Sequence, residues 1–239
     1  MRQWLGSLAF SIFLVVSVPV YSFLLFATLP LPGNDPYRWA VGWARVVMRA
    51  LHRFCRLDYR VSGQEQLPSD AAIVLMKHSS AWETIAQILI FPRQIWVLKQ
   101  ELLGIPVFGS ALRKLKPIAI DRKGGSSAVQ QVLLQGQSRL AEGNYVIIFP
   151  EGTRMEVGQT RRYGLSGALL ASTVGKPIVP VAHNAGFFWP RRGMLKRAGT
   201  VRVVIGAPIT TAGREPREIN DEVKRWIEAQ VAQLLPPGA

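Results

Sequence analysis

The sequence predicts an α/β protein, with a single mixed sheet and helices on both of its faces, preceded by a long hydrophobic segment. After Leu57, short β-branched runs alternate with helical stretches of ten or more residues, which indicates the α/β class. Before it, the residues from Gln3 to Asn34 include no Asp, Glu, Lys, Arg or His. No Pro-, Gly- or Ser-rich linker divides the remainder. We therefore predict an anchoring part at residues 1–57 and one domain at residues 58–239.

The hydrophobic segment is long enough to cross the hydrocarbon of a bilayer, and it predicts a membrane anchor. A secretory signal is the alternative, but its basic region would consist of Arg2 and the amino terminus, and no A-x-A site follows near Leu29. Pro19 in the middle of the run predicts a kink, or two short helices that dip into one leaflet. A spanning anchor and a re-entrant anchor both remain open.

A second helix is predicted to start at Asn34-Asp35-Pro36 and to run to about Leu57. At helical spacing five arginines share one sector, namely Arg38, Arg45, Arg49, Arg53 and Arg56. This basic row beside a Trp-rich apolar face favours a helix in the interface of an anionic membrane, and an ordinary surface helix is the alternative. The basic flank predicts that the following domain faces the cytoplasm, as at a bacterial-type inner membrane.

The domain after residue 57 is predicted to contain seven strands and five helices. The strands are expected near Tyr59–Ser62, Ala71–Met76, Gln94–Leu98, Pro117–Ile120, Tyr145–Phe149, Ile178–Ala182 and Val201–Ile205. The helices are expected near Trp82–Ile90, Val107–Leu115, Ser126–Ala141, Leu165–Val174 and Pro216–Leu234.

The composition indicates which partners the protein binds and argues against a metal site. The 239 residues include 29 Lys and Arg against 15 Asp and Glu, a formal charge of +14, and no carboxylate lies between Val157 and Arg214. We expect anionic partners, and membrane lipids and a phosphorylated substrate fit a hydrophobic anchor better than nucleic acid, for which no motif is present. The single cysteine excludes an intramolecular disulfide, and together with three scattered histidines it predicts no metal site.

Two loops that follow predicted strands carry reactive side chains. In Lys77–Glu83, His78 and Glu83 can meet if His78 lies in the turn before the helix, and Ser80 and Glu83 have capping-box spacing. The alternative is that Glu83 only caps the helix. In Phe149–Arg154, Gly152 permits close approach of a ligand and Arg154 can bind phosphate; a solvated ion pair of Glu151 with Arg154 is the alternative.

A third loop, Ile120–Ser127, presents backbone amides beside Arg122 and Lys123, as an anion site requires. Ligands bind at the carboxyl ends of strands in such sheets, so the three loops predict one site with a base and two phosphate-binding groups. A serine hydrolase that uses Ser79 or Ser166 is a competing chemistry, although the sequence around Ser166 lacks the last glycine of the G-x-S-x-G turn.

Four segments in order resemble the conserved blocks of the glycerolipid acyltransferases: Lys77–Glu83, Lys99–Gly109 continuing to Ile120-Asp121-Arg122, Phe149–Arg154 and Ile178–Val181. The similarity covers about Ala71 to Val181. The usual first block is His-x-x-x-x-Asp, whereas this sequence has Glu83 at the acidic position.

The resemblance implies a glycerolipid acyltransferase-like domain that moves a fatty acyl group from acyl-CoA or acyl carrier protein to the free hydroxyl of 1-acyl-glycerol-3-phosphate. Phosphatidic acid would be the product. Another lyso-lipid, such as lyso-ornithine lipid, is the alternative acceptor, and a non-enzymatic basic membrane-binding module is the alternative of another class.

The resemblance also implies roles for individual residues. His78 would be the general base and Glu83 would orient its imidazole. The substrate phosphate would be held by Arg122, Gly152, Thr153 and Arg154, with Glu151 fixing the arginines. Ile178, Val179, Pro180 and Val181 would border the acyl donor.

Overall fold

A computed structural model describes residues 1–121 and 124–236. The strands in this range are β1 (Leu57–Ser62), β2 (Ile73–Met76), β3 (Gln94–Lys99), β4 (Ile118–Ile120), β5 (Tyr145–Ile148), β6 (Ile178–His183) and β7 (Gly199–Ile205). The helices are α1 (Arg2–Thr28), α2 (Pro36–Cys55), α3 (Trp82–Ile90), α4 (Phe108–Lys114), α5 (Ser126–Ala141), α6 (Ser166–Val174), α7 (Ala185–Phe188) and α8 (Pro216–Leu234).

The seven strands form one sheet in the order β1-β7-β6-β2-β5-β3-β4. Pairing is parallel from β6 through β2, β5 and β3 to β4, whereas β6 and β7 are antiparallel and β1 is parallel to β7. The predicted mixed α/β sheet is therefore confirmed. Its central strand β2 is buried on both sides, which explains why Ile73–Met76 consists entirely of apolar residues.

Helices cover both faces of the sheet. Val74 and Met76 of β2 belong to a core cluster with residues of α2 and α3, while Ile73 and Leu75 contribute to a second cluster with α5, α6 and α8. Alternate side chains of β2 thus point to opposite faces of the sheet and pack against different helices. The turn that contains His78 follows Met76, at the carboxyl end of this central strand.

In the first helix, serines face the protein and most of the large apolar side chains face outward. Ser7, Phe10 and Ser17 are buried against the protein. The outer side is apolar and exposed, and it includes Trp4, Leu5, Leu8, Ile12, Val15, Val16, Val20, Phe23 and Leu24. It is the one helix of the described residues that is long and apolar enough to cross a membrane, with a mean hydropathy of 2.3 over its most apolar window.

Helix α1 is continuous through Pro19, so the two short helices considered from the sequence are not formed. Its first turns are joined to the domain by polar contacts. The Gln3 amide donates to the carbonyl of Cys55 at 2.9 Å and to that of Lys196 at 2.5 Å, and the Lys196 ammonium donates to Ser11 Oγ at 2.6 Å. The amino-terminal end of α1 is thus part of the folded domain's surface.

The second helix starts as expected, with Pro36 in its first turn and the Asp35 carboxylate accepting from the Tyr37 amide. The five arginines of the basic row are exposed. The apolar side, including Val47 and Leu51, is buried against α1 and the core rather than facing outward. In its packing α2 is therefore an ordinary surface helix, and only its basic row is available to an anionic surface.

Candidate active site

His78 lies in the turn between β2 and α3, and it contacts Glu83 as the sequence predicts. Its Nδ1 is 2.9 Å from Glu83 Oε1. The same carboxylate oxygen accepts the backbone amides of Ser79 and Ser80, each at 2.8 Å. Ser80 Oγ in turn accepts from the Trp82 amide at 3.1 Å. Only half of the predicted capping box is formed, because α3 begins after Ala81 and Ser80 Oγ bonds to the Trp82 amide instead of the Glu83 amide. The other half, from the Ser80 amide to the Glu83 carboxylate, is present, and the same carboxylate forms the pair with His78.

The hydrogen bond to Glu83 determines which nitrogen of His78 is free. A carboxylate only accepts, so Nδ1 carries the proton and Nε2 has a lone pair available. The ring stacks on Phe149, with centroids 4.2 Å apart and planes 22° from parallel. It is 8% exposed and lines the large cavity described below. An imidazole held on one edge and accessible on the other has the geometry of a general base.

Glu83 is completely buried and nevertheless remains ionised. Burial disfavours its charged form, but the imidazoles of His183 and His78 and the amide hydrogen bonds outweigh burial and lower its pKa. Its second oxygen lies 3.9 Å from His183 Nε2. The extra methylene that distinguishes Glu83 from the aspartate of the resembling block therefore leaves the contact with His78 at normal hydrogen-bond length.

His183 is a structural residue at the end of β6. Its Nε2 donates to the Lys77 carbonyl at 2.8 Å, and its Nδ1 accepts from the Ala185 amide at 3.2 Å. Burial lowers the pKa of its imidazole, in agreement with a neutral ring whose two nitrogens are both in use. It supports the turn that contains His78 through the Lys77 carbonyl.

The loop after β5 holds the backbone of His78 on both sides. Glu151 Oε2 accepts the His78 amide at 2.8 Å, and the Met155 amide donates to the His78 carbonyl at 2.8 Å. Glu151 Oε1 accepts from Lys77 Nζ at 2.7 Å. Burial raises the pKa of Glu151 to about 7, even though Lys77 opposes this change. In the described residues the two oxygens of Glu151 are bound to Lys77 and to the His78 amide, so Glu151 supports the turn that contains His78. Its expected contact with Arg122 stays a prediction, because Arg122 lies outside the described residues.

A cavity of about 780 Å³ extends from His78 between α1, α2, α3, β3 and α4. Most of its wall is apolar, and it includes Leu25, Trp39, Trp43, Ile88 and Leu112. Among the described residues its cationic groups are Lys99, Arg154, Arg191 and Arg192. One cavity thus joins a long apolar surface to a positively charged region that contains the imidazole.

The structure brings some of the predicted phosphate-binding residues to this cavity. Thr153 and Arg154 line it together with His78. Gly152 has φ +67, a left-handed conformation that favours glycine in the turn before them. Arg122 lies outside the described residues.

Lys99, Arg191 and Arg192 were not predicted as site residues. Lys99 begins a block that carries the family resemblance, and Arg191-Arg192 is a pair within the stretch that has no carboxylates. The sequence therefore marks these cations as candidates for a site, but it does not show that β3 and the loop after α7 meet at one cavity.

The segment Ile178–Val181 does not border the cavity. It forms most of β6, is paired with β2 from Ile73↔Ile178 to Met76↔Val181, and is completely buried. The expectation that these residues contact the acyl donor is therefore wrong. Val179 and Val181 belong to one core cluster and Ile178 to the other, and none of the four residues lines the cavity.

Comparisons with known proteins agree with this fold and site. The profile of the Acyltransferase family matches residues 58–184. A 1-acyl-sn-glycerol-3-phosphate acyltransferase of Pseudomonas aeruginosa is 39% identical over 239 residues, which covers 98% of this chain and 93% of that protein. Lysophosphatidylcholine acyltransferase 1 of Mus musculus is 30% identical over 145 residues, which covers 56% of this chain and 27% of that protein.

The crystal structure of the 1-acyl-sn-glycerophosphate (LPA) acyltransferase PlsC from Thermotoga maritima has the same fold. It aligns with a TM-score of 0.80 at 21% identity, and the alignment covers 98% of this chain and 96% of that one. The family profile spans more than half of the sequence, and the bacterial relative is matched along almost its entire length. This chain therefore belongs to the Acyltransferase family and is an acyltransferase enzyme, as its resemblance to the glycerolipid acyltransferases implied.

Proposed function

We propose that the protein transfers a fatty acyl group from an acyl thioester to the free hydroxyl of 1-acyl-glycerol-3-phosphate, forming phosphatidic acid for phospholipid synthesis. The observation that carries this proposal is the position of His78, whose imidazole faces a cavity with an apolar wall and four cationic side chains. A lysophosphatidate combines the same features, since it has an anionic phosphate, a nearby hydroxyl and a hydrocarbon chain.

The proposed reaction is a direct transfer without an acyl-enzyme. His78 Nε2 takes the proton of the acceptor hydroxyl as its oxygen attacks the thioester carbonyl, and the carbon–sulfur bond breaks as the tetrahedral intermediate collapses. The leaving thiolate then takes the proton from the imidazolium. Ionised Glu83 stabilises that imidazolium and holds the ring in place. The chemistry calls on no bound cofactor, and acyl-CoA or acyl carrier protein is the co-substrate.

Arg154, Arg191, Arg192 and Lys99 are the groups we assign to the phosphate of the acceptor. Arginine forms paired hydrogen bonds with phosphate oxygens, and binding at a fixed point brings the acceptor hydroxyl to the imidazole. Thr153 adds a hydroxyl on the same wall. The apolar wall between α1, α2 and α4 is suited to a fatty acyl chain.

Another lysophospholipid is the second candidate acceptor. A relative matched over 145 residues is named a lysophosphatidylcholine acyltransferase, so this family includes a different acceptor on a related domain. Four cations at the cavity favour an acceptor with a terminal phosphate, because a zwitterionic head group would leave them partly uncompensated. The bacterial relative named for 1-acyl-sn-glycerol-3-phosphate, at 39% identity, supports the same choice.

We also propose that the protein works at the surface of an anionic membrane with its domain on the cytoplasmic side. The exposed apolar side of α1 would enter the lipid, and the basic row of α2 would face the phosphates of the head groups. The acceptor, itself a membrane lipid, would then reach the cavity through a wall that α1 and α2 help to form.

The test uses purified protein in detergent with lysophosphatidate and either acyl-CoA or an acyl carrier protein thioester. Wild type should form phosphatidate, and His78→Ala should reduce kcat by at least about 100-fold because proton transfer is lost. His52→Ala is the matched control, because its imidazole is exposed on α2 and is 3.4 Å from Asp58. Equal rates for His78→Ala and wild type would remove His78 from the mechanism.

The same assay, run with a panel of lyso-lipids, tests the acceptor. We expect the highest kcat/KM with lysophosphatidate. A preference for lyso-ornithine lipid or lysophosphatidylcholine would replace the proposed acceptor and leave the proposed chemistry in place.

A further inference from the structure

A hydrogen-bond network centred on a buried lysine links the carboxy-terminal helix to the turn that contains His78. Its centre is the Lys77 ammonium, which is 3% exposed and donates to Glu151 Oε1 at 2.7 Å, to the Gln159 carbonyl at 3.0 Å and to Glu228 Oε1 at 2.9 Å. Glu228 Oε2 accepts as well, at 3.0 Å, so the three donors of the ammonium group are fully used. Glu228 belongs to α8, so the network joins parts of the chain about 150 residues apart in sequence.

Glu228 also holds the loop that carries the arginine at the cavity. Its Oε1 accepts from Thr160 Oγ1 at 2.9 Å and from the Tyr163 hydroxyl at 2.6 Å. Burial and the Glu228 carboxylate raise the pKa of Tyr163, which keeps the phenol protonated and able to donate. Thr160 and Tyr163 lie in the segment between β5 and α6 that also contains Arg154. One carboxylate therefore fixes that segment near its carboxy-terminal end.

The network reaches His78 by two paths. The Lys77 side chain is one residue before His78, and its partner Glu151 accepts the His78 amide. The segment held by Glu228 also includes Met155, whose amide donates to the His78 carbonyl. Movement of this segment would therefore shift both the base and Arg154.

We propose that Glu228 is a positioning residue for acyl transfer, which sets the distance between the His78 imidazole and the acceptor phosphate bound at Arg154. The carboxylate is 25% exposed and touches neither the cavity nor the imidazole, so its effect passes through Lys77, Thr160 and Tyr163. This inference rests on the proposed acceptor. A small displacement of reacting groups is costly, since an error of about 1 Å can reduce the rate about 100-fold.

The experiment compares Glu228→Ala, Glu228→Gln and Glu228→Asp with Glu222→Gln. Glu222 is the matched control, because it is on the same helix and pairs with Arg214 instead. Glu228→Ala should reduce kcat/KM for lysophosphatidate about tenfold or more, and raise KM for that acceptor more than KM for the thioester. Glu228→Gln should show a smaller change of the same kind, Glu228→Asp should recover part of the loss, and the control should match wild type.

Amide hydrogen exchange measured on the same proteins gives a readout that does not depend on substrate. Residues 152–164 should exchange faster in Glu228→Gln than in wild type, while α5 should be unchanged. Unchanged kinetics in a folded Glu228→Ala protein, or unchanged exchange in this loop, would overturn the proposal. If wild type fails to acylate lysophosphatidate, the proposed function fails, and the exchange comparison still shows whether Glu228 holds the loop.

Discussion

At the scale of single residues, the Glu83 carboxylate combines a structural and a chemical role. Oε1 accepts from His78 Nδ1 and from the amides of Ser79 and Ser80, so the start of α3 and the orientation of the base depend on one atom. An ionised carboxylate is needed because three donors converge on it in a fully buried place. Stability and activity should therefore respond differently to substitutions that remove its charge or its whole side chain.

We expect Glu83→Gln to retain the amide contacts and to lose the charge that stabilises the imidazolium, so that kcat falls while the fold is largely kept. Glu83→Asp should keep substantial activity, and Glu83→Ala should lose activity and stability together. Ser80→Ala is the control, because it removes the cap to Trp82 and costs about 1 kcal/mol of folding free energy without touching His78. If Ser80→Ala lowers kcat as much as Glu83→Gln, Glu83 acts only as a helix cap.

Arg154 offers a second test at this scale, since it lines the cavity with His78. Arg154→Ala should raise KM for the phosphorylated acceptor about tenfold or more and change KM for the thioester less, because the lost contact is to phosphate. Arg60→Ala, at an exposed arginine of β1 remote from the cavity lining, should leave both values unchanged. If Arg154→Ala raises KM for the thioester more than KM for the acceptor, Arg154 binds the thioester, and the proposed positions of the two substrates are exchanged.

At the scale of elements, the sequence predicts where helices and strands lie better than which way they face. Helices α3, α5 and α8 begin and end at the predicted residues, because their apolar spacing and their flanking turn residues agree. The one-turn helix α7 was missed, since four residues are too few to show a helical period. The segment Ile178–Val181 was correctly predicted as a strand and wrongly placed at the site, because resemblance locates a block without its neighbours in the sheet.

The sequence also does not predict how α1 is oriented, because it leaves a spanning and a re-entrant anchor open. In the structure both ends of the helix contact the domain. Gln3 bonds to Cys55 and Lys196 near the start, and Leu25 lines the cavity together with α4 near the end. Because both ends contact one domain, we predict that α1 lies along the membrane surface rather than across it.

Labelling from the two sides of sealed vesicles checks this arrangement. Cysteines introduced at Arg2 and at Thr28 should both react with a membrane-impermeant maleimide on the same side, the side of the domain. The parent protein is the control, because its single cysteine is buried. Reaction of the two positions on opposite sides would show that α1 spans the bilayer.

At the scale of the whole molecule, the two faces of the sheet have different surroundings. Helices α1, α2 and α3 cover the face that shares the cavity, and α5, α6 and α8 cover the other. The exposed apolar side of α1 and the arginine row of α2 both lie on the cavity face. We therefore expect the exposed arginines of α2 to attract anionic lipid at the surface where a lipid substrate would enter.

Binding to vesicles tests this asymmetry with matched pairs of arginines. Replacing Arg49 and Arg53 of α2 by Gln removes two exposed cations from the cavity face, and replacing Arg217 and Arg225 of α8 removes two exposed cations from the opposite face. Each cation near an anionic surface contributes about 1 kcal/mol, so the α2 pair should weaken partitioning into anionic vesicles about 30-fold. The α8 pair should have little effect.

The difference between the two pairs should shrink on neutral vesicles, which carry no anionic head groups. It should also shrink at high salt, because the attraction is already confined to charges within about 10 Å at 0.1 M ionic strength. Equal losses for both pairs would mean that net charge alone, and no particular face, brings the enzyme to the membrane.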